Sequence, residues 1–299
     1  MITLEQNFHS REDMAAFVNQ CDTLYWEQVE CAIDRVLNTE NLKFLTLSGP
    51  TCSGKTTTSM AIAKKMNDRG IHVKLISIDD FYHDRDNNLK TDGKSDFESV
   101  NAIDLKLFSE CVQGIHEDRT VYIPTFNFQT GKRDGYTEYT RKAYDIILFE
   151  GIQAVYPEIT KLFFKNDYLS IFVNVEQSVN VDGKIFAPQD IRLCRRLVRD
   201  SQFRSAPAYA TLKMWDNVVK NENQNIFPNS NCDISIDTTL LYQFGVLKPY
   251  LTKLFETTEI SNQYAFQTLK NLVHYHDHVQ EIPAELVPQN SVFREFIGH

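Results

Sequence analysis

The chain has 299 residues, 42% hydrophobic and 24% charged, close to globular averages, which excludes wholesale disorder. Its 31 basic and 40 acidic residues leave a formal charge of −9. That balance argues against nucleic acid or an anionic membrane as partner, although a local arginine cluster can still serve a small anionic ligand. The six cysteines, Cys21, Cys31, Cys52, Cys111, Cys194 and Cys232, form no C-x-x-C pair, so reduced thiols in the cytosol are expected. The first residues lack a signal-peptide pattern and no apolar run approaches membrane-spanning length, so a soluble, cytoplasmic protein is expected.

In chain order, residues 22–38 place Tyr25, Val29, Ala32, Ile33, Val36 and Leu37 at helical spacing. Residues 43–48 read as a short buried strand, followed by a Gly-rich turn and a helix from about Lys55 to Asn67 that stops at Gly70. A second strand over 72–78 ends in two aspartates. A helix over 101–113 and a short strand at 120–123 follow. The apolar runs 145–149 and 168–175 are strands covered on both faces. Beyond Asp190 the pattern is mostly helical, with one strand at 233–236. Strands alternating with helices predict an α/β fold with a parallel sheet. No repeat or linker is visible, so one elaborated domain over 1–299 is expected. It comprises N-terminal helices (1–42), a core with a lid (43–250) and C-terminal helices (251–299).

Gly49-Pro-Thr-Cys-Ser-Gly-Lys-Thr56 matches G-x-x-x-x-G-K-[ST] in full. Glycines at both fixed positions allow successive N–H groups to point at phosphate oxygens, and the helix starting there adds its positive end. Lys55 offers a cation to the β- and γ-phosphates, and the Thr56 hydroxyl is placed to ligate magnesium. Gly49, Thr51, Cys52, Ser53, Gly54, Lys55, Thr56 and Thr57 are therefore the expected ATP-binding residues. The chain lacks an N-K-x-D guanine motif.

Asp79 and Asp80 close the second strand, where ligands of open α/β sheets lie. A carboxylate there can take a proton from an acceptor hydroxyl and support magnesium, or can simply cap a turn. Glu150 closes the strand at 145–149, a position suited to a magnesium-supporting acid. Arg192, Arg195, Arg196 and Arg199 share one helix face, with Arg204 following. Four like charges so placed repel unless an anion joins them, and no acidic partner is evident from the sequence. His274 and His278 lie one helical turn apart, but no third ligand has zinc-site spacing.

Residues 43–250, which carry these segments, resemble the uridine kinase and phosphoribulokinase family of P-loop kinases. Asp79-Asp-Phe-Tyr82 resembles the family's catalytic-base segment. Asp96-Phe97-Glu98 followed by Asn101-Ala-Ile-Asp104 resembles the stretch that binds sugar hydroxyls, with Glu98 at the acidic position. Pro124-Thr-Phe126-Asn127-Phe128-Gln-Thr-Gly131-Lys-Arg133 resembles the substrate-side segment, and Arg192–Asp200 the lid helix.

The resemblance implies Asp79 as base, with Lys55 and Arg199 also catalytic. It implies Arg196, Arg199 and Arg204 on the nucleotide, and Thr56, Asp79 and Glu150 on the metal. Tyr82, Phe97, Glu98, Phe126, Phe128 and Arg133 would face the acceptor. Phe126, Asn127 and Gly131 replace the family's tyrosine, aspartate and histidine, and residues 176–190 look inserted.

The tail, at 211–215, 225–228, 240–249 and 294–298, resembles a bacterial uridine kinase-like branch. The implied activity is transfer of the γ-phosphoryl of ATP, with Mg2+, to a small hydroxylated metabolite such as a nucleoside. A sugar phosphate acceptor and a non-catalytic nucleotide-binding protein stay open as alternatives. A homo-oligomer is compatible with the sequence and not specified by it.

Overall fold

A computed structural model describes residues 1–85, 90–91, 94–95, 97–258, 263–275 and 278–298; Asp96 and His276 lie outside the described residues. The strands are β1 (Ile2–Thr3), β2 (Phe44–Ser48), β3 (Val73–Ser77), β4 (Lys90–Thr91), β5 (Lys94–Ser95), β6 (Val121–Asn127), β7 (Lys132–Tyr139), β8 (Ile146–Glu150), β9 (Tyr168–Asn174), β10 (Val179–Val181), β11 (Lys184–Phe186) and β12 (Ile234–Asp237). The α-helices are α1 (Arg11–Leu37), α2 (Lys55–Asp68), α3 (Leu105–His116), α4 (Pro157–Thr160), α5 (Pro188–Phe203), α6 (Ala208–Asn221), α7 (Gln243–Glu256), α8 (Gln263–Tyr275) and α9 (Arg294–Ile297).

The strands expected at 43–48, 72–78, 145–149, 168–175 and 233–236 form a five-stranded parallel sheet in the order β12-β9-β2-β8-β3. Alternation along each strand divides the core between the two faces. Leu45, Leu47, Leu148 and Val173 pack with Val29 and Ile33 of α1, Ile62 and Met66 of α2 and Leu197 of α5. Phe44, Phe149, Ile76 and Phe172 pack with Phe108 and Ile115 of α3 and with Phe81 and Phe126. Among the described residues no helix is long and apolar enough to cross a membrane.

Several elements differ from the sequence expectation. The helix predicted over 22–38 starts at Arg11, because Ser10 and Asp13 form a capping box in which each side chain accepts the other's N–H. The helix expected from 101 begins at Leu105, where the Asp104 carboxylate accepts the Leu107 N–H. The strand predicted at 120–123 continues to Asn127 and pairs antiparallel with β7, outside the main sheet. Residues 176–190 carry the β10–β11 hairpin, which β1 completes as a three-stranded sheet.

Register then positions the site. Leu47 and Ser77 both pair with Glu150, so the C-terminal ends of β2, β3 and β8 lie level at one edge of the sheet.

Candidate active site

The Gly-rich segment joins β2 to α2. It runs so close to β9 that a Cβ on Gly49 would stand 1.9 Å from the Val173 carbonyl oxygen, and Gly54 enters the helix at φ +94°. The loop carbonyls are held from outside. Arg192 Nη1 donates to Thr51 O (3.0 Å), Arg195 Nη1 to Cys52 O (3.3 Å) and Thr238 Oγ1 to Ser53 O (2.8 Å). In a planar trans peptide the following N–H points the opposite way, so the amides of Cys52, Ser53 and Gly54 point away from those donors, as an anion cradle would require. Thr51 departs from the expectation: its N–H donates to Glu222 Oε1 at 2.9 Å and so is directed at the protein. Lys55 Nζ donates to Pro50 O at 3.0 Å, and Thr56 is exposed beside it.

Three acids approach this edge. Burial raises the Asp79 carboxyl above its usual range and Asp80 adds to the rise, while the Tyr82 hydroxyl and Lys55 pull it back. Glu150 is pushed up to about 7, chiefly by burial, with Asp79 and Glu295 adding to the rise and Lys55 and Thr56 opposing it. Asp80 is different in kind. Its Oδ1 accepts the Phe126 N–H at 3.0 Å, tying the η-turn Ile78–Phe81 to the β6–β7 hairpin.

The arginines do not form one ligand-facing set. Arg192, almost wholly buried, makes a bidentate pair with the buried Glu222 (2.6 and 2.7 Å). Arg195 donates to Gln243 Oε1 and Thr238 O, and burial lowers its pKa to about 10. Both brace the loop. The expected absence of acidic partners is thus corrected. Asp200 accepts from Arg196 (3.3 Å) and Arg199 (2.8 Å) and lies 3.7 Å from the half-exposed Arg204. Burial works against the charge on Arg199, but nearby anionic groups, Asp200 among them, outweigh it and raise its pKa. Burial and the like charge of Arg199 lower that of Arg204.

On the other side of Asp79, Tyr82, Phe97, Phe126 and Phe128 meet as an aromatic cluster, with ring centroids 5.2–6.4 Å apart. Phe128 is exposed and Glu98 half-buried at its rim. Arg133, expected to face the acceptor, instead donates to Asp104 and to the carbonyls of Phe81 and Tyr82. Asn127 is a turn former, its Oδ1 accepting the N–H groups of Gln129 and Thr130.

Sequence reasoning missed Gln153, Glu222 and Glu295. Gln153, wholly buried, donates to the Tyr82 hydroxyl (3.0 Å) and Phe97 O (2.9 Å). Glu295 Oε2 accepts from Thr57 Oγ1 at 2.9 Å. Glu222 and Glu295 meet the loop across sequence separations of 171 and 238 residues, and no local motif announces them.

A parallel sheet with a Gly-rich loop at its carboxyl edge and acids at the ends of β8 and β3 defines a P-loop α/β fold. The sequence matches the model of the Phosphoribulokinase / Uridine kinase family over residues 44–239, and the chain belongs to that family.

Among curated relatives, a uridine kinase of Schizosaccharomyces pombe is 29% identical over 187 residues, covering 62% of this chain and 37% of that protein. A uridine kinase of Lactobacillus johnsonii is 28% identical over 175 residues, covering 58% of this chain and 75% of that one. A third, of Staphylococcus haemolyticus, is 27% identical over 190 residues, covering 63% and 83%. The chain thus spans little more than a third of the fission-yeast relative's length.

Proposed function

We propose that the protein is an ATP- and magnesium-dependent kinase that transfers the γ-phosphoryl group to a hydroxyl of an uncharged, nucleoside-like metabolite. The observation that carries this reading is the convergence, at one sheet edge, of the cradle, Lys55, Asp79 and Glu150, bordered by the aromatic cluster. In this reading the loop amides and Lys55 bind the phosphates. Asp79 orients the acceptor hydroxyl and receives its proton, and burial makes its carboxylate a stronger proton acceptor than an exposed one. Arg196, Arg199 and Arg204 exchange part of their hold on Asp200 for phosphate oxygens.

The donor set suits magnesium. It offers hard oxygens, Thr56, Glu150 and Asp79, while among the described residues no three acidic, His or Cys side chains make a closed cage. Such an ion would neutralise charge on the transferred group. Most of the rate would come from positioning and charge stabilisation.

The aromatic faces suit a nucleobase. Arg133 is committed to Asp104 and to the Phe81 and Tyr82 carbonyls rather than to an acceptor phosphate, which favours the uncharged acceptor. The test is ADP release from ATP and Mg2+ across a panel of nucleosides and sugar phosphates. Release with nucleosides is expected. Release only with a sugar phosphate would replace the acceptor class, and binding of ATP without any transfer would leave a nucleotide-binding protein.

A further inference from the structure

The family match ends at residue 239, yet the chain returns to the phosphate loop fifty residues later. Val292 lies against Gly54, where an added Cβ would stand 2.7 Å from its Cγ2. Three positions on, Glu295 Oε2 accepts the hydroxyl proton of Thr57 in the first turn of α2.

The segment that carries both residues is anchored along its length. The Ser291 hydroxyl bonds the buried Asp22 (3.0 Å) and Tyr242 (2.9 Å). Arg294 donates to the carbonyls of Ala284, Val287, Pro288 and Gly298. Phe293 and Phe296, both wholly buried, sit against the Arg195 guanidinium, 5.8 and 5.0 Å from their ring centroids. Arg195 in turn holds Cys52 O. A mobile strap would not be tied at its start, middle and end. This is a built wall of the loop, and Glu295 is the polar group that it brings to the anion-facing helix turn.

Resting on the kinase reading above, we propose that the C-terminal segment Ser291–Gly298 is part of the donor-nucleotide site and that Glu295 is a positioning residue acting through Thr57. By accepting the Thr57 hydroxyl's hydrogen bond, Glu295 fixes that hydroxyl's rotamer beside the cradle, so the loop meets the nucleotide in one arrangement. The contact needs an acceptor oxygen at position 295 and does not need a negative charge. Glutamine therefore preserves it and alanine abolishes it.

Donor affinity is measured by calorimetry with ATP and Mg2+ on the full-length wild type, Glu295→Ala, Glu295→Gln, Thr57→Val and the Thr57→Val/Glu295→Ala double variant. Melting temperatures are recorded beside it. Glu295→Ala should weaken ATP binding about three- to tenfold, the scale of one hydrogen bond. Glu295→Gln should restore it, and the double variant should be no weaker than the worse single one. The KM for the acceptor should stay near wild type in Glu295→Ala.

Wild-type ATP affinity in Glu295→Ala, or strictly additive losses in the double variant, would overturn the proposal while leaving the kinase reading in place. A Leu269→Val variant, buried in α8 outside the segment, separates lost stability from positioning. It should lower the melting temperature and leave ATP affinity within about twofold; a donor loss there equal to that of Glu295→Ala would mean that lost stability alone weakens donor binding, and would also overturn the proposal. A wild-type protein that binds no ATP would instead overturn the kinase reading, and this proposal with it.

Discussion

Adjacent aspartates here have separate work. Asp79 lies with Lys55 and Glu150 at the sheet edge, whereas Asp80 spends its carboxylate on the Phe126 amide. Asp79→Asn keeps the shape but removes the proton acceptor. It should leave ATP affinity near normal while lowering single-turnover transfer by about two to four orders of magnitude. Asp80→Asn should cost less than tenfold in transfer and should register mainly as a lower melting temperature. Equal, modest kinetic losses would mean that the pair only shapes the turn. Gln153 belongs to the same scale. Because its amide holds the Tyr82 hydroxyl and Phe97 O, Gln153→Leu should raise the KM for the acceptor several-fold and leave the KM for ATP unchanged, as initial-rate kinetics in both substrates would reveal.

Within α5 the same residue type serves two purposes one turn apart. Arg192 has no water-facing alternative, and removing it strands Glu222 as a buried carboxylate and frees Thr51 O. Arg192→Met should therefore destabilise the fold by about 3–5 kcal/mol, read by urea unfolding. Arg199 shares Asp200 with Arg196, so its loss leaves that carboxylate paired. Arg199→Ala should melt within a few degrees of wild type while transfer falls at least tenfold. Unfolding of Arg199→Ala would assign the arginine to structure and remove the lid role. The cluster Arg192, Arg195, Arg196 and Arg199 is thus not one electrostatic face. The two nearest the helix start brace the loop, and the two nearest its end are held by a carboxylate that phosphate oxygens can rival.

Across the whole molecule, the chain's two ends meet at Asp22. This buried carboxyl on α1 accepts from Tyr242 of the α7 entry and from Ser291, while its second oxygen has no hydrogen-bond partner among the described residues. Burial raises its pKa, the two hydroxyls and Arg294 opposing the rise without cancelling it. A raised folded-state pKa contributes stability that is fully present below the unfolded value, about 3.9, and is lost as pH climbs through the folded value. The melting temperature of Asp22→Asn minus that of wild type should therefore increase from pH 4 upward; a difference that decreases with pH would mean that the folded state prefers the carboxylate. Nucleotide binding should also register globally. ATP with Mg2+ at a hundred times its Kd should stabilise the fold by about 2.7 kcal/mol, and Lys55→Ala should lose most of that upward shift in melting temperature.

What the sequence determined by itself is local and periodic. The buried strand read at 43–48 and the apolar runs at 145–149 and 168–175 specify strands because their apolar residues must be covered on both faces. The loop 49–56 is legible because its glycines answer to the backbone path at those positions. The hairpin strand β7 was not legible, because most of its side chains are exposed and carry no apolar alternation. Nor was the division of labour among the arginines, or between Asp79 and Asp80. A side chain's partner is set by what the fold brings opposite it, and Glu222, Thr238 and Glu295 come from 171 to 238 residues away along the chain. Spacing within a segment fixes which face a residue takes. Only the tertiary structure decides whether that face meets a ligand or another part of the same chain.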